Sequence, residues 1–402
     1  MSGEYCSGVD GKLKSDCRVR YTPQQSGGLT VEFIGKLEPM YGRSTVQLAE
    51  QTLTELGIVN AVVKIEDYGA LPYVIMARLE AAVKTAHPGL DRESLPEMKS
   101  YSFSQPQKIR RRTTRLYLPG NQPKYFLNAG LHKPDGIILD LEDSVSEKEK
   151  LSARLIVRNA LRSVDFYDAE KMVRINQGEL GLLDLDMIVP QNVQVILVPK
   201  VETVEQIFII EARIAKIKAR HGITQPIYLM PIIESALGII NVYTIACASA
   251  NIVSIAIGLE DYTADLGTNT SASAIESFFA RSCLVNAAAA AGIGAQDSVF
   301  SNVADSAGLL AAAQIGKQLG FEGKGCIHPG QIAIIKQGFS PTAGEISRAV
   351  AIVAAYEQAK AGGKGVVSLG SKMIDAPVVK KALAVIALAT DLGLLSARAG
   401  EQ

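Results

Sequence analysis

Val193-Gln-Val-Ile-Leu-Val-Pro-Lys-Val-Glu202 is a short apolar run that stops abruptly in charge, and its reading decides the fold. Unbroken apolarity over so few residues marks a strand buried on both faces, as in a parallel sheet. The pattern repeats on either side. Upstream stand Leu116-Tyr-Leu118, Gly136-Ile-Ile-Leu-Asp-Leu141 and Met172-Val-Arg-Ile175; downstream stand Ile227-Tyr-Leu-Met-Pro-Ile-Ile233 and Ile252-Val-Ser-Ile-Ala-Ile257. Weaker runs follow at Gly294 to Val299 and Gly323 to Ile327. Helical segments separate them, which makes eight βα units and favours a closed (β/α)8 TIM barrel over an open doubly wound sheet. No Gly-x-Gly-x-x-Gly follows the first run, so a dinucleotide-binding fingerprint is absent. The α/β barrel is expected over residues 113–340, with a C-terminal helical extension over 341–402.

The first part of the chain has a different texture. Leu29-Thr-Val-Glu-Phe-Ile34 alternates as a strand does, and Ser44 to Leu56 has helical spacing. A second strand is predicted at Ala61 to Ile65 and a second helix from Pro72, a favoured first-turn residue, to about Ala86. His87-Pro88-Gly89 stops it. A small α+β domain over residues 1–90 is the expectation. The polar, proline-bearing stretch 91–112 reads as a linker.

Composition narrows the function. The 402 residues carry 41 basic and 41 acidic side chains, a balance that speaks against nucleic-acid binding. The five cysteines lack Cys-x-x-Cys spacing, so neither structural zinc nor a disulfide framework is indicated. No apolar stretch reaches the roughly 20 residues of a membrane span. The N-terminus does not resemble a secretory leader. A cytoplasmic protein with no membrane or nucleic-acid partner is expected.

Active sites of such barrels lie at the carboxyl ends of the strands. There the apolar runs end in Asp140-Leu-Glu-Asp143, Asn176, Pro199-Lys-Val-Glu202, Glu234-Ser235, Glu260-Asp261 and His328-Pro329. Acids from separate strands converging on one face need protons or a cation. Mg2+ is the economical answer, because it takes one or two carboxylates and completes its shell with substrate and water. Glu234 and Asp261 are the expected metal ligands. Arg174, a guanidinium inside an apolar strand, is expected to bind a carboxylate or oxyanion. Glu142 is expected to take part in catalysis.

These motifs resemble the citrate lyase beta subunit family (HpcH/HpaI aldolase/citrate lyase), which includes malyl-CoA and citramalyl-CoA lyases. The resemblance rests on Leu116-Tyr-Leu-Pro-Gly-Asn121, Ile138-Leu-Asp-Leu-Glu-Asp-Ser144, Val173-Arg-Ile-Asn176, Val198-Pro-Lys-Val-Glu202, Ile233-Glu-Ser235, Gly258-Leu-Glu-Asp-Tyr262 and Gly323-Lys-Gly-Cys-Ile-His-Pro329, in order. It implies that Glu234 and Asp261 hold Mg2+, and that Arg174 meets the substrate's carboxylate or nascent carbonyl oxygen. Tyr117, Lys124, Ile327 and His328 would lie near the substrate or its thioester arm. Met373-Ile-Asp-Ala-Pro377 resembles the segment that sends a catalytic aspartate, here Asp375, into a neighbouring subunit's site. One departure stands out: the family's arginine six positions before the Pro-Gly proline is Thr113 here, with Arg112 one earlier.

The N-terminal part resembles the gamma subunit of citrate lyase, a small acyl carrier, through Gly11-Lys-Leu-Lys-Ser15, Glu38-Pro-Met-Tyr-Gly42 and Asp67-Tyr-Gly-Ala-Leu71. This implies a phosphoribosyl-dephospho-CoA arm, a phosphopantetheine-like prosthetic group, on Ser15. Together the resemblances imply a lyase that splits a citryl thioester into oxaloacetate and an acetyl thioester. They also imply a homo-oligomer (trimer or hexamer) and an alpha-subunit acyl transferase as partner. A citramalyl- or malyl-CoA lyase, and a non-catalytic carrier or scaffold subunit, are the alternatives.

Overall fold

The computed structural model describes residues 3–8, 14–271, 274–361, 367–369 and 372–395. The chain forms two compact units, Met1–Ile335 and Lys336–Gln402. The larger unit opens with a four-stranded sheet in the order β1-β2-β4-β3, made of β1 (Tyr5–Ser7), β2 (Cys17–Pro23), β3 (Leu29–Ile34) and β4 (Ala61–Asp67). Helices α1 (Arg43–Glu55) and α2 (Pro72–Ala86) cover one face. Alternation builds this layer: Val19 and Tyr21 of β2, and Val63 and Ile65 of β4, are wholly buried against Leu53 and Leu79.

The eight strands that follow close a parallel barrel. They are β5 (Thr114–Pro119), β6 (Gly136–Asp140), β7 (Glu170–Arg174), β8 (Val195–Val198), β9 (Tyr228–Ile233), β10 (Ser254–Ile257), β11 (Gly294–Asp297) and β12 (Gly323–Cys326). Each overlaps one of the eight apolar runs. The interior is packed by Ile138, Met172, Leu197 and Met230, so the lower barrel is a filled core. Between strands lie α3 (Lys150–Ser163), α4 (Gly178–Ile188), α5 (Val204–His221), α6 (Ala236–Ile240), α7 (Val242–Ala246), α8 (Leu259–Asp265), α9 (Ile275–Ala291) and α10 (Ser306–Leu319). Thr203 and Gln206 start α5 with a capping box, and Gly222 ends it in the left-handed conformation. α11 (Gln331–Phe339) follows the last strand.

The second unit contains α12 (Ala343–Ala361), a hairpin of β13 (Val367–Leu369) and β14 (Lys372–Ile374), and α13 (Ala376–Asp391). The two long helices pack together. No helix among the described residues is long and apolar enough to cross a membrane.

Two expectations need correction. The strands β1 and β2 were not foreseen, although Cys17, Val19 and Tyr21 alternate with Arg18, Arg20 and Thr22 as a half-buried strand should. The segment 91–112 is not a free tether either. Arg158 of α3 donates to Ser94 O at 3.1 Å, Arg162 to Pro96 O at 2.6 Å, and Lys171 of β7 to Ser102 O. Arg112 then locks onto Glu170 at 2.7 Å and 2.8 Å. Its polar residues read as linker because their partners, backbone carbonyls and buried charges of the barrel, are remote in sequence.

The carrier-like sheet is seated on the barrel by the same kind of contact. Arg78 of α2 is wholly buried and clasps Asp16 with both prongs, at 3.1 Å and 2.7 Å. It also donates to Ser152 Oγ in α3 at 2.8 Å and to Asn121 O, just past β5, at 3.1 Å. Nearby, Glu80 of α2 accepts from both ends of the Arg158 guanidinium, at 3.0 Å and 2.6 Å. Buried pairs of this geometry hold register because neither partner can separate without stranding a charge.

Candidate active site at the carboxyl ends of the barrel strands

Polar side chains break the apolar runs where the strands end, and several of them, though not Glu142 or Asn176, line one cavity of about 450 Å³. Its wall takes Arg115 and Tyr117 from β5, Asp140 from β6, Arg174 from β7, and Glu234 and Asp261 from just beyond β9 and β10. Register explains the convergence: parallel neighbours bring Asp140 level with Arg174, and Pro119 level with Asp140.

Arg174 is more heavily engaged than its motif implied. Its Nε and Nη2 donate to Asp140 at 2.6 Å and 2.7 Å, while Nη1 lies 2.9 Å from Glu142 and 3.3 Å from Asp143. Its face stacks on the Tyr117 ring at 5.4 Å. Despite burial, Arg174 holds Asp140 below the usual carboxylate range. Glu142 accepts from Gln177 at 3.0 Å, and burial raises its carboxyl despite the nearby guanidinium.

Glu234 is poorly compensated. It is 5% exposed, and its Oε2 has no hydrogen-bond partner. Burial, then the charges of Glu142 and Asp261, push its pKa up to about 8. Gly258 beside it has no side chain to spare: a Cβ there would stand 2.5 Å from Glu234 Oε1. Asp261 is more open, at 44% exposed, in the first turn of α8. A buried carboxylate with an orphan oxygen, a neighbouring acid and a glycine-made recess suits a hard cation with few protein ligands. Among the described residues no three His, Cys, Asp or Glu side chains form a group that could hold a metal ion.

Lys200 joins the site without having stood out in the sequence. It follows β8 with φ +50°, a left-handed conformation rare for a long side chain. Its Nζ is 3.3 Å from Asp261, 3.7 Å from Glu142 and 3.8 Å from Asp143. Although desolvation opposes it, these acids raise the ammonium's pKa. Arg115, which was missed, carried the signal that flagged Arg174: a charge on the inward face of an apolar strand, two residues from Tyr117.

Of the remaining candidates, Tyr117 and Ile327 line the cavity. Lys124 and His328 are not among its lining residues. Lys124 lies over its neighbour Tyr125 at 4.6 Å, and His328 Nδ1 accepts from Gly330 N at 3.1 Å. Arg112 is consumed by Glu170, so it does not replace the arginine missing at Thr113. Asp375, in the second unit, caps α13 by accepting from Val378 N at 3.2 Å. Ser15 is half-buried with φ +62°, and its N–H donates to Tyr68 O at 3.0 Å. Residues 11–13 of its motif lie outside the described residues.

Comparison with known proteins gives this acid-mouthed barrel its class. The HpcH/HpaI aldolase/citrate lyase family model matches residues 113–329, and the chain belongs to this family. Residues 6–86 match the ACP model described as malonate decarboxylase delta subunit. The chain is 40% identical to citrate lyase subunit beta of Leuconostoc mesenteroides subsp. cremoris, over 70% of this chain and 94% of that protein. It is 33% identical to human mitochondrial citramalyl-CoA lyase, over 73% of this chain and 89% of that one. Among solved structures, CitE of Mycobacterium tuberculosis in complex with magnesium, acetoacetate and coenzyme A aligns with TM-score 0.59 at 27% identity, covering 70% of this chain and 99% of that one. The protein is a carbon–carbon lyase of the oxo-acid-lyase class, with an acyl-carrier-like domain fused in front.

Proposed function

We propose that the chain cleaves a citryl thioester, borne on its own carrier domain, to oxaloacetate and an acetyl thioester. The observation that carries this reading is the seating of that domain: Asp16, one residue after Ser15, is pinned through Arg78 to Asn121 at the mouth of the barrel. A phosphoribosyl-dephospho-CoA arm on Ser15 would start at the rim where the strands end. The fused organisation then has a physical purpose: a tethered thioester meets the site at high effective concentration.

Glu234 and Asp261 would hold Mg2+, whose charge, when present, lowers the pKa of the substrate hydroxyl and stabilises negative charge. Glu142, buried and raised in pKa, is suited to take the hydroxyl proton as the oxygen becomes the keto acid's carbonyl and the bond from its carbon to the thioester's methylene breaks. The electron pair of the broken carbon–carbon bond passes to the thioester as an enolate. Arg174 faces that developing charge from a fixed position, held by Asp140 before substrate arrives. Asp375 would deliver the proton to the enolate from a neighbouring subunit, which calls for a trimer or hexamer. A separate acyl transferase, the alpha subunit, would reload the arm.

The test is an intact-mass measurement after co-expression with the modifying enzymes, followed by assay of citryl, citramalyl and malyl thioesters. An adduct on Ser15 with cleavage of the citryl form supports the reading. A bare chain that cleaves only free citramalyl-CoA or malyl-CoA overturns it.

A further inference from the structure

Arg115 is a permanent charge set into the floor of the cavity with almost nothing to balance it. It is 1% exposed. Its Nη1 reaches the thioether sulfur of Met230 at 3.4 Å, its Nη2 the backbone carbonyl of Asp297 at 3.1 Å, and its Nε has no partner. Among the described residues no carboxylate comes within ion-pair distance, whereas Arg78, Arg112, Arg154, Arg158, Arg174 and Arg281 each hold one. Burial accordingly lowers the Arg115 pKa. A guanidinium has five donors in a planar fork that matches a carboxylate, and here they are under-used in apolar surroundings.

Position makes this more than a packing feature. Arg115 sits two residues before Tyr117 on β5, one inward layer deeper than the ring on which Arg174 stacks. Its register partner on β12 is Gly325, and both line the cavity. A Cβ on Gly325 would stand 2.7 Å from Val299 and 3.3 Å from Tyr117, so no larger residue fits between floor and mouth.

Resting on the lyase reading above, the geometry points to Arg115 as the anchor for a second carboxylate on the keto-acid half of the substrate, the group that makes the released product a dicarboxylic 2-oxo acid. The carbon that bears the reacting hydroxyl has four substituents. The hydroxyl and its adjacent carboxylate belong at the acid-lined mouth, and the thioester arm leaves toward the carrier. The remaining substituent faces the floor. If it is a carboxymethyl group, it completes an ion pair with Arg115; if it is methyl or hydrogen, as for a pyruvate or glyoxylate product, the guanidinium stays buried and unpaired.

The experiment is calorimetric titration of the full-length chain with Mg2+, using freshly dissolved oxaloacetate and, separately, pyruvate. The wild type is expected to bind oxaloacetate roughly 10- to 100-fold more tightly, the size of a charge-assisted hydrogen-bonded pair. Arg115→Met should erase that preference by weakening oxaloacetate alone, and Arg115→Lys should restore part of it. Equal binding of the two acids by the wild type needs no folded variant to interpret, and it overturns the assignment while leaving the lyase reading intact. Retained preference in Arg115→Met does the same. Binding of neither acid refutes the lyase reading, and the assignment with it.

Discussion

Lys200 Nζ lies 3.3 Å from Asp261 Oδ1, so an ammonium stands beside one of the two carboxylates that would receive the metal. Two roles are physically distinct here. A lysine that helps hold the metal site together would weaken Mg2+ binding when removed. One that competes with the metal for the same oxygens would strengthen it. The contact itself favours competition, since the ammonium occupies an Asp261 oxygen that the metal would use. Lys200→Met is therefore expected to tighten Mg2+ binding about 3- to 10-fold, measured by calorimetry. Weaker binding would assign Lys200 to support of the site instead.

Glu234→Gln separates metal binding from folding. The wild-type chain is expected to gain about 2.7 kcal/mol of stability at a Mg2+ concentration 100 times its Kd. The variant should show no Mg2+-dependent rise in melting temperature. Without Mg2+ it should be at least as stable as the wild type, because a neutral amide replaces a buried carboxyl whose Oε2 has no partner. A variant that still responds to Mg2+ would move the metal away from Glu234.

Arg78→Met tests whether the carrier-like domain is seated by charge. Removing the guanidinium strands Asp16 in the interface, at an expected cost of about 3–5 kcal/mol in urea unfolding. Adding Asp16→Asn should recover part of that loss, since the stranded charge is gone. If the double variant is no better than the single one, shape at the interface matters more than the ion pair.

The barrel was legible because its strands are buried on both faces and therefore apolar throughout. Even the weak runs at Gly294 and Gly323 were found, helped by their place in an eightfold alternation. The acids at the cavity mouth were legible for the complementary reason: an acid ending an apolar strand has no place in a core. What the sequence hid was pairing. Whether Arg174 was free or engaged depended on its level with Asp140, and Lys200 became visible only when three acids from other strands surrounded its Nζ. The segment 91–112 misled for the same reason, since a chain that satisfies its polar groups on a distant surface has the composition of one that satisfies them with water.

Lys171 gives that segment a pH signature. Its ammonium is buried on β7, donates to Ser102 O, and burial lowers its pKa to about 8. The unfolded chain holds this proton to about pH 10.4. Between the two values the unfolded state binds more protons than the folded state, so stability rises with pH there. Below pH 8 both states are protonated and the folded state carries the whole desolvation cost, at most about 3 kcal/mol. Lys171→Met removes that cost, and Ser102 O keeps the Asn192 amide as a donor. The variant should thus exceed the wild type in urea midpoint at pH 7, and its advantage should shrink steadily toward pH 10. An advantage that does not change with pH would mean that Lys171 stays protonated in the folded chain, with Ser102 and its surroundings meeting the charge in full.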